Sequence, residues 1–238
     1  PTITKEYNMS GLGREPSVTT RFANQFKRAC EENGLTDVTF ELAGQDNKVN
    51  ADAIFSALDN FLLIEFKSYE TGIKSEEDKD RVYDLCHKLL ENKRMSNSHR
   101  SCHFIMWGIS ENKRLETRYT IYQDSVCRKS ILVESDLLDE PEKPTVLQGE
   151  QLATEISKSA VGLGLEQFLI YLKWLFSSER SSEETYDGTI SLIATSSSKY
   201  IDGLEFASFN EFEAWAKPTV MNFLSPKNNP SSKKRPSI

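Results

Sequence analysis

An α/β fold built on a mixed sheet is what this 238-residue chain predicts, and three observations carry that reading. Helical and strand-like periodicities follow one another in the order αβββαββ and then αββα. Three extended runs stand close together as a β-meander, which argues against a purely parallel, doubly wound sheet. A nearly all-apolar run, Cys102 to Ile109, calls for a strand central in the sheet.

The first helix is predicted over Pro16 to Asn33, with Pro in its first turn, Val18, Phe22, Phe26 and Ala29 on one stripe, and Gly34 as stop. The meander follows: Val38 to Leu42, Val49 to Phe55 and Phe61 to Lys67, separated by the turn-forming Gly44 to Asn47 and by Ser56 to Asn60. Residues Ser75 to Arg94 read as a second helix, acidic at its start, basic at its end, and carrying Val82, Leu85, Leu89 and Leu90. Cys102 to Ile109 and Arg118 to Val126 are the next strands. A long helix is expected over Gln148 to Phe176, apolar almost all round in its second half, which demands burial or a covering partner. Thr189 to Thr195 and Gly203 to Ser208 read as strands, and Ser208 with Glu211 has capping-box spacing for a closing helix. These elements divide the chain into a core over 1–130, a helix-rich α/β extension packed on it over 131–217, and a disordered tail over 218–238.

A formal charge of −7 opposes indiscriminate nucleic-acid binding, but residues 81–130 carry 10 basic against 5 acidic side chains, a local +5. Lys93, Arg94, His99, Arg100, Lys113, Arg114 and Arg118 are therefore candidates for a surface that tracks phosphates. No run is long and uncharged enough to cross a bilayer, since Val161 to Phe176 contains Glu166 and Lys173. No secretory signal is visible, and the four scattered cysteines read as buried thiols without a disulfide framework, so a cytoplasmic location is expected. The Cys86-His87 and Cys102-His103 pairs lack zinc-ligand spacing. The Gly11-Leu12-Gly13 and Gly162-Leu163-Gly164 strings lack the remainder of a nucleotide-binding loop.

The chemistry concentrates in the third run of the meander. An apolar strand that delivers Glu65 and Lys67 on one face, with Leu62, Ile64 and Phe66 on the other, breaks core packing rules, and such breaks mark function. Asp52 interrupts the preceding run in the same way, between Ala51 and Ala53. A hairpin turn centred on Leu58 and Asp59 places Asp52 opposite Glu65, and one centred on Asp59 and Asn60 places it opposite Lys67. A three-residue turn would send Asp52 to the other face. Asp59 itself reads as a turn former. Two carboxylates with the Phe66 carbonyl make an oxygen-rich set suited to Mg²⁺ or Mn²⁺, and Lys67 stands where it would orient or help deprotonate a water.

At Asp52 and at Glu65-Phe66-Lys67, after 12 intervening residues, the chain resembles the PD-(D/E)xK nuclease superfamily, whose members share the restriction-endonuclease-like fold. The order helix, meander, helix, strand over residues 10 to 127 is similar to that superfamily's core. Ala51 stands where the family has its proline. The family often adds an acid on its first helix, and Glu15 falls at the matching place. Some branches carry a Gln and a Tyr four apart on the next helix; Lys79 and Tyr83 have that spacing without the Gln. The resemblance implies catalytic Asp52, Glu65 and Lys67, a metal held by Asp52, Glu65, Phe66 and Glu15, and hydrolysis of DNA in a restriction, anti-phage or DNA-processing setting. A noncatalytic interaction subunit that keeps the fold is the alternative. The apolar Leu163 to Phe176 helix is expected to be buried or to meet a protein partner or a second copy, with Tyr171 and Trp174 as its outward residues.

Overall fold

The strand bearing the Glu-x-Lys triplet lies in the middle of one mixed sheet. The structure, a computed structural model, describes residues 14–42, 50–57, 59–79, 81–176 and 189–224. The expected Gly44 to Asn47 turn, Val49, Leu58, Asp80, the Gly11-Leu12-Gly13 string and the tail beyond 224 lie outside them. α1 (Arg14–Glu32) is followed by β1 (Asp37–Leu42), β2 (Ala53–Ala57) and β3 (Asn60–Lys67). A 3₁₀ segment (Glu70–Asp78), α2 (Val82–Glu91) and α3 (Lys93–Cys102) lead to β4 (His103–Glu111), β5 (Arg114–Ile121) and the short α4 (Tyr122–Val126). β6 (Leu147–Gln148), α5 (Gly149–Ser157), β7 (Leu163–Gly164) and α6 (Leu165–Phe176) come next, then β8 (Thr189–Ser196), β9 (Glu205–Ser208) and α7 (Phe209–Leu224).

The sheet runs β6-β5-β4-β3-β2-β1-β8-β9, with β7 added to the start of β3. Among the described residues only β3 and β4 pair in parallel, because the connection between them is a helical crossover long enough to return to the same end. β8 hydrogen-bonds to β1, so strands from both halves of the chain share one sheet.

Helices cover both faces. α1 and α5 pack on one, where Phe22 and Phe26 meet Phe55, Phe66 and Ile64 of the sheet and Ile156 of α5. α2, α3, α4, α6 and α7 cover the other, against Phe40, Ile54, Leu63, Ile105 and Trp107. Each such aromatic or aliphatic side chain, fully buried, adds roughly 1.5–3 kcal/mol. Gly108 lets α1 lie close to β4: a Cβ there would stand 2.7 Å from Val18.

Several expected elements are divided or shifted. The Val49 to Phe55 strand begins only at Ala53 and continues to Ala57, leaving Asp52 in a bend. The single helix over 75–94 becomes the 3₁₀ segment, α2 and α3, because Lys79 is extended and the Asn92 side chain accepts the Met95 amide at 3.1 Å, starting a new helix. The strand over 118–126 starts at Arg114 and stops at Ile121, after which Tyr122–Val126 turns helical. The long helix over 148–176 breaks at residues 158–164, where Ser159 (φ 55°) and Gly162 (φ 102°) adopt left-handed backbone and Leu163–Gly164 pairs with Phe61 and Asn60. The boundary at 218 is likewise superseded: α7 runs on through Pro218, whose ring is exposed, anchored by buried Phe209, Phe212 and Ala216. At its start the Ser208 hydroxyl accepts the Glu211 amide at 3.1 Å, while Glu211 reaches the Ala207 amide.

The thiol reading also changes. Cys86 of α2 and Cys127, just past α4, form a disulfide with Cα atoms 5.2 Å apart, whereas Cys30 and Cys102 are free and buried. No local pattern announces a partner 41 residues away. No described helix is long and apolar enough to cross a membrane.

Candidate active site

β3 is buried along its whole length, so its two charged residues must be neutralised inside the protein. Glu65 is 3% and Lys67 8% exposed. Their side chains leave the sheet on the face opposite Phe66 and lie 2.7 Å apart, Nζ to Oε1. The segment that follows folds back over them. Glu76 of the 3₁₀ segment, with no exposed surface, takes Lys67 Nζ at 2.6 Å. Lys79 reaches Glu65 Oε1 at 2.7 Å and Glu76 at 3.1 Å. Tyr122, the first residue of α4, donates its hydroxyl to Glu76 Oε2 at 2.5 Å.

Asp52 joins this group by backbone geometry. Ala57 faces Asn60 and Ala53 faces Ile64, a register that, continued by one residue, carries Asp52 to the Glu65 side of the hairpin. The ladder ends there: the Asp52 amide donates to the Ile64 carbonyl at 2.9 Å. The Phe66 amide is then taken by the Asp52 carboxylate, Oδ2, at 2.5 Å instead of by a main-chain carbonyl. Glu15, in the first turn of α1, lies near enough for its charge to act on Asp52. The helix start is fixed to the end of β3 by Arg14, which donates to the Ser68 carbonyl at 3.0 Å and lies over the Tyr69 ring.

Three carboxylates face two ammoniums here, and burial and the neighbouring charges set the proton affinity of each. Burial pushes Asp52 up to about 6 against the pull of the Phe66 amide and of Lys79. Burial, with Asp52 and Glu76 adding to it, pushes Glu65 up to about 8 despite both lysines. For Glu76 burial also works upward, but Lys79, Lys67 and the Tyr122 hydroxyl outweigh it and hold the carboxyl below its ordinary value. Burial disfavours the Lys67 ammonium, yet Glu65 and Glu76 overcome this and keep it charged. Glu65 Oε2 is buried with no hydrogen-bond partner. Among the described residues no group of three or more His, Cys, Asp or Glu side chains is gathered tightly enough to hold a metal on its own.

Behind the cluster is a neutral polar network. The Tyr171 hydroxyl lies 2.7 Å from His99 Nδ1 and 2.9 Å from His103 Nδ1, and His103 Nε2 lies 2.9 Å from the Asn50 carbonyl, two residues before Asp52. Both rings are fully buried, and burial holds His103 down to about 4 and His99 well below its usual range.

The structure thus brings together Asp52, Glu65 and Lys67, with the Phe66 main chain between them and Glu15 nearby. It does not unite the expected basic surface. His99 lies in the core, Arg100 pairs with Asp124, and Lys93 and Arg94 line a groove with α6. Arg118 pairs with Glu111 on β4. Tyr171 is buried, not outward; the exposed positions of α6 are Glu166, Gln167, Ile170 and Lys173. Lys79 precedes α2, so its spacing to Tyr83 is not a helical turn. The sequence reading missed Glu76, Lys79 as an ion-pair partner, and Tyr122. The spacing of Glu76 and Lys79, three apart, was the available signal for the first two. Comparison with known proteins gave no match: no family model, no curated protein and no solved structure matches the chain.

Proposed function

We propose that the chain is a metal-dependent nuclease with a restriction-endonuclease-like core that hydrolyses DNA phosphodiester bonds, serving defence against foreign DNA or DNA processing. The observation that carries this reading is the meeting of Asp52 with Glu65 and Lys67 at the end of a central strand. The element order supports it: a first helix, an antiparallel meander, and a helical crossover to a parallel fourth strand, with the Asp in the bend before β2 and the Glu-x-Lys at the end of β3.

The donor set fits a hard divalent cation. Asp52 and Glu65 are carboxylates whose proton affinities burial raises, so a cation beside them would relieve the cost of their charge, and Glu65 Oε2 is a buried lone pair without a partner. Mg²⁺ or Mn²⁺ would be held by these two with the Phe66 carbonyl, and Glu15 adds charge from α1. Bound there, the ion supplies charge to the phosphate oxygens and acidifies water.

The reaction adds water across a P–O bond, its oxygen to phosphorus and its proton to the departing oxygen. Lys67 is held fully charged by Glu65 and Glu76, so its part is electrostatic, toward negative charge gathering on the phosphate, and not that of a base. Glu76 is a positioning residue: it fixes both ammoniums, and Tyr122 fixes it. The test is nicking of supercoiled DNA by the purified protein with Mg²⁺ or Mn²⁺. Cleavage that chelation stops, and that Lys67→Ala abolishes while leaving the circular dichroism spectrum unchanged, supports the reading. Full activity in that variant overturns the role of Lys67.

A second reading, a noncatalytic subunit that keeps the nuclease fold and works by binding a partner, draws on the burial of Glu65, Lys67 and Glu76, which leaves only Lys79 of the ion cluster partly exposed. Calorimetry separates the two, because a noncatalytic member has no Mn²⁺ affinity at Asp52 and Glu65.

A further inference from the structure

On the opposite side of the sheet from the ion cluster, a cleft of about 630 Å³ opens between α1, the β4–β5 hairpin and the start of α5. Four arginines from two elements converge on it: Arg21 and Arg28 from α1, Arg114 and Arg118 from β5. Two of its carboxylates are already engaged. Glu116 holds Arg21 at 2.9 Å and Glu111 holds Arg118 at 2.8 Å. Arg28 and Arg114 have no acidic partner among the described residues, and Arg21 Nε is buried without a hydrogen-bond partner. Glu150 is the remaining acid of the lining, so the side chains sum to a net positive charge.

The floor reinforces that sign. α5 begins at the cleft, and its N-cap residue, Gln148, makes no side-chain capping bond, so the positive end of the helix dipole faces the arginines. Gly149 makes this approach possible: a Cβ there would stand 2.1 Å from the Thr117 hydroxyl, itself bonded to buried Gln25. An open, polar, arginine-rich cleft with an uncapped helix start suits a phosphate oxygen and offers little to an apolar ligand.

Its placement identifies the source of that phosphate. Trp107 pairs with both Lys67 and Arg118, so the cleft begins level with the ion cluster, and the hairpin carries it on toward the same strand end, by about 13 Å as far as Glu111 at ~3.3 Å per residue. We infer that this cleft is a second phosphate subsite, which grips the DNA backbone away from the bond being cut. The inference rests on the nuclease reading and deepens it: affinity for DNA comes from the α1–β5 side, while the buried ion cluster carries the chemistry.

The experiment pairs Arg28→Glu/Arg114→Glu with a control of equal charge change, Lys158→Glu/Lys199→Glu, both exposed and outside the cleft. Binding of a labelled DNA duplex is followed by fluorescence anisotropy across a salt series, in chelator so that nothing is cut, and nicking is followed separately with Mg²⁺. The expected result is at least a tenfold loss of affinity and a salt slope lower by about 1–2 in the cleft variant, with the control near wild type. Cleavage by the wild type with equal affinity and slope in both variants overturns the subsite and leaves the nuclease reading standing. Equal losses in both variants reduce the effect to net charge and also overturn it. A wild type that neither binds nor cuts DNA overturns the nuclease reading and the subsite together. Circular dichroism confirms that the cleft variant is folded.

Discussion

Lys79 lies 2.7 Å from Glu65 although it stands beyond the end of the 3₁₀ segment and outside the strand that presents Glu65. Its ammonium, with that of Lys67, lets two glutamates stay buried beneath the sheet's helical cover. An ion cluster of this kind specifies a conformation more than it stabilises one, because desolvation offsets most of the attraction. Breaking it is a different matter, since the survivors are left charged and unpaired.

Glu76→Gln is accordingly expected to destabilise the protein by about 3–5 kcal/mol, and Tyr122→Phe by about 1–2 kcal/mol. Urea unfolding at neutral pH measures both. A loss under about 1 kcal/mol for Glu76→Gln would show that the cluster is not held as described.

Glu65 also sets a pH dependence. A carboxyl whose folded value is raised binds its proton more tightly in the folded state, so stability falls as pH rises from the unfolded value toward the folded one. For Asp52 that decline is complete by about 6, and the two buried histidines, held neutral, act in the opposite sense only up to their ordinary value near 6.5. From there to about 8 the decline among the described residues is that of Glu65. Glu65→Gln flattens this window. Saturating Mn²⁺, which prefers the ionised acids, offsets the decline in the wild type, and an unchanged pH profile with the metal would place it elsewhere.

Glu65→Gln preserves shape while removing the charge a hard cation needs, so the calorimetric Mn²⁺ affinity is expected to fall at least tenfold. An unaltered isotherm would refute the proposed donor set.

The Cys86–Cys127 disulfide closes a loop spanning α3, β4, β5 and α4, and with 41 residues of separation it restricts the unfolded chain by about 4 kcal/mol. Thermal unfolding with and without reductant, and of Cys86→Ser/Cys127→Ser, is expected to show this loss. Because Tyr122 sits on the stapled α4, the nicking rate of the reduced protein tells whether the staple also maintains the ion cluster.

How much of this was legible follows from the range of each signal. Period-2 and period-3.6 patterns are local, so α1, the meander and β4 were readable, and the register needed to bring Asp52 to Glu65 was among those the spacing allowed. Boundaries governed by distant contacts were not. The long apolar helix breaks where Gly162 and β7 meet β3, and Tyr122 leaves the strand pattern to reach Glu76. Burial of Tyr171 was hidden because its polar end is satisfied by histidines some 70 residues earlier.

Tyr171 has a single hydroxyl proton and two ring nitrogens within reach, which gives the core a direction. A carbonyl only accepts, so His103 must carry its proton on Nε2, toward Asn50, leaving Nδ1 bare. Tyr171 therefore donates to His103, and His99 must donate to Tyr171 from Nδ1, with its own Nε2 lone pair left buried and unpaired. The four groups form a one-way chain ending at the residue two before Asp52, held there at φ 51°. The acid that opens the proposed site is thus aligned from inside the protein, and the two imidazoles must appear as opposite tautomers in nitrogen spectra, a signature that Tyr171→Phe would erase.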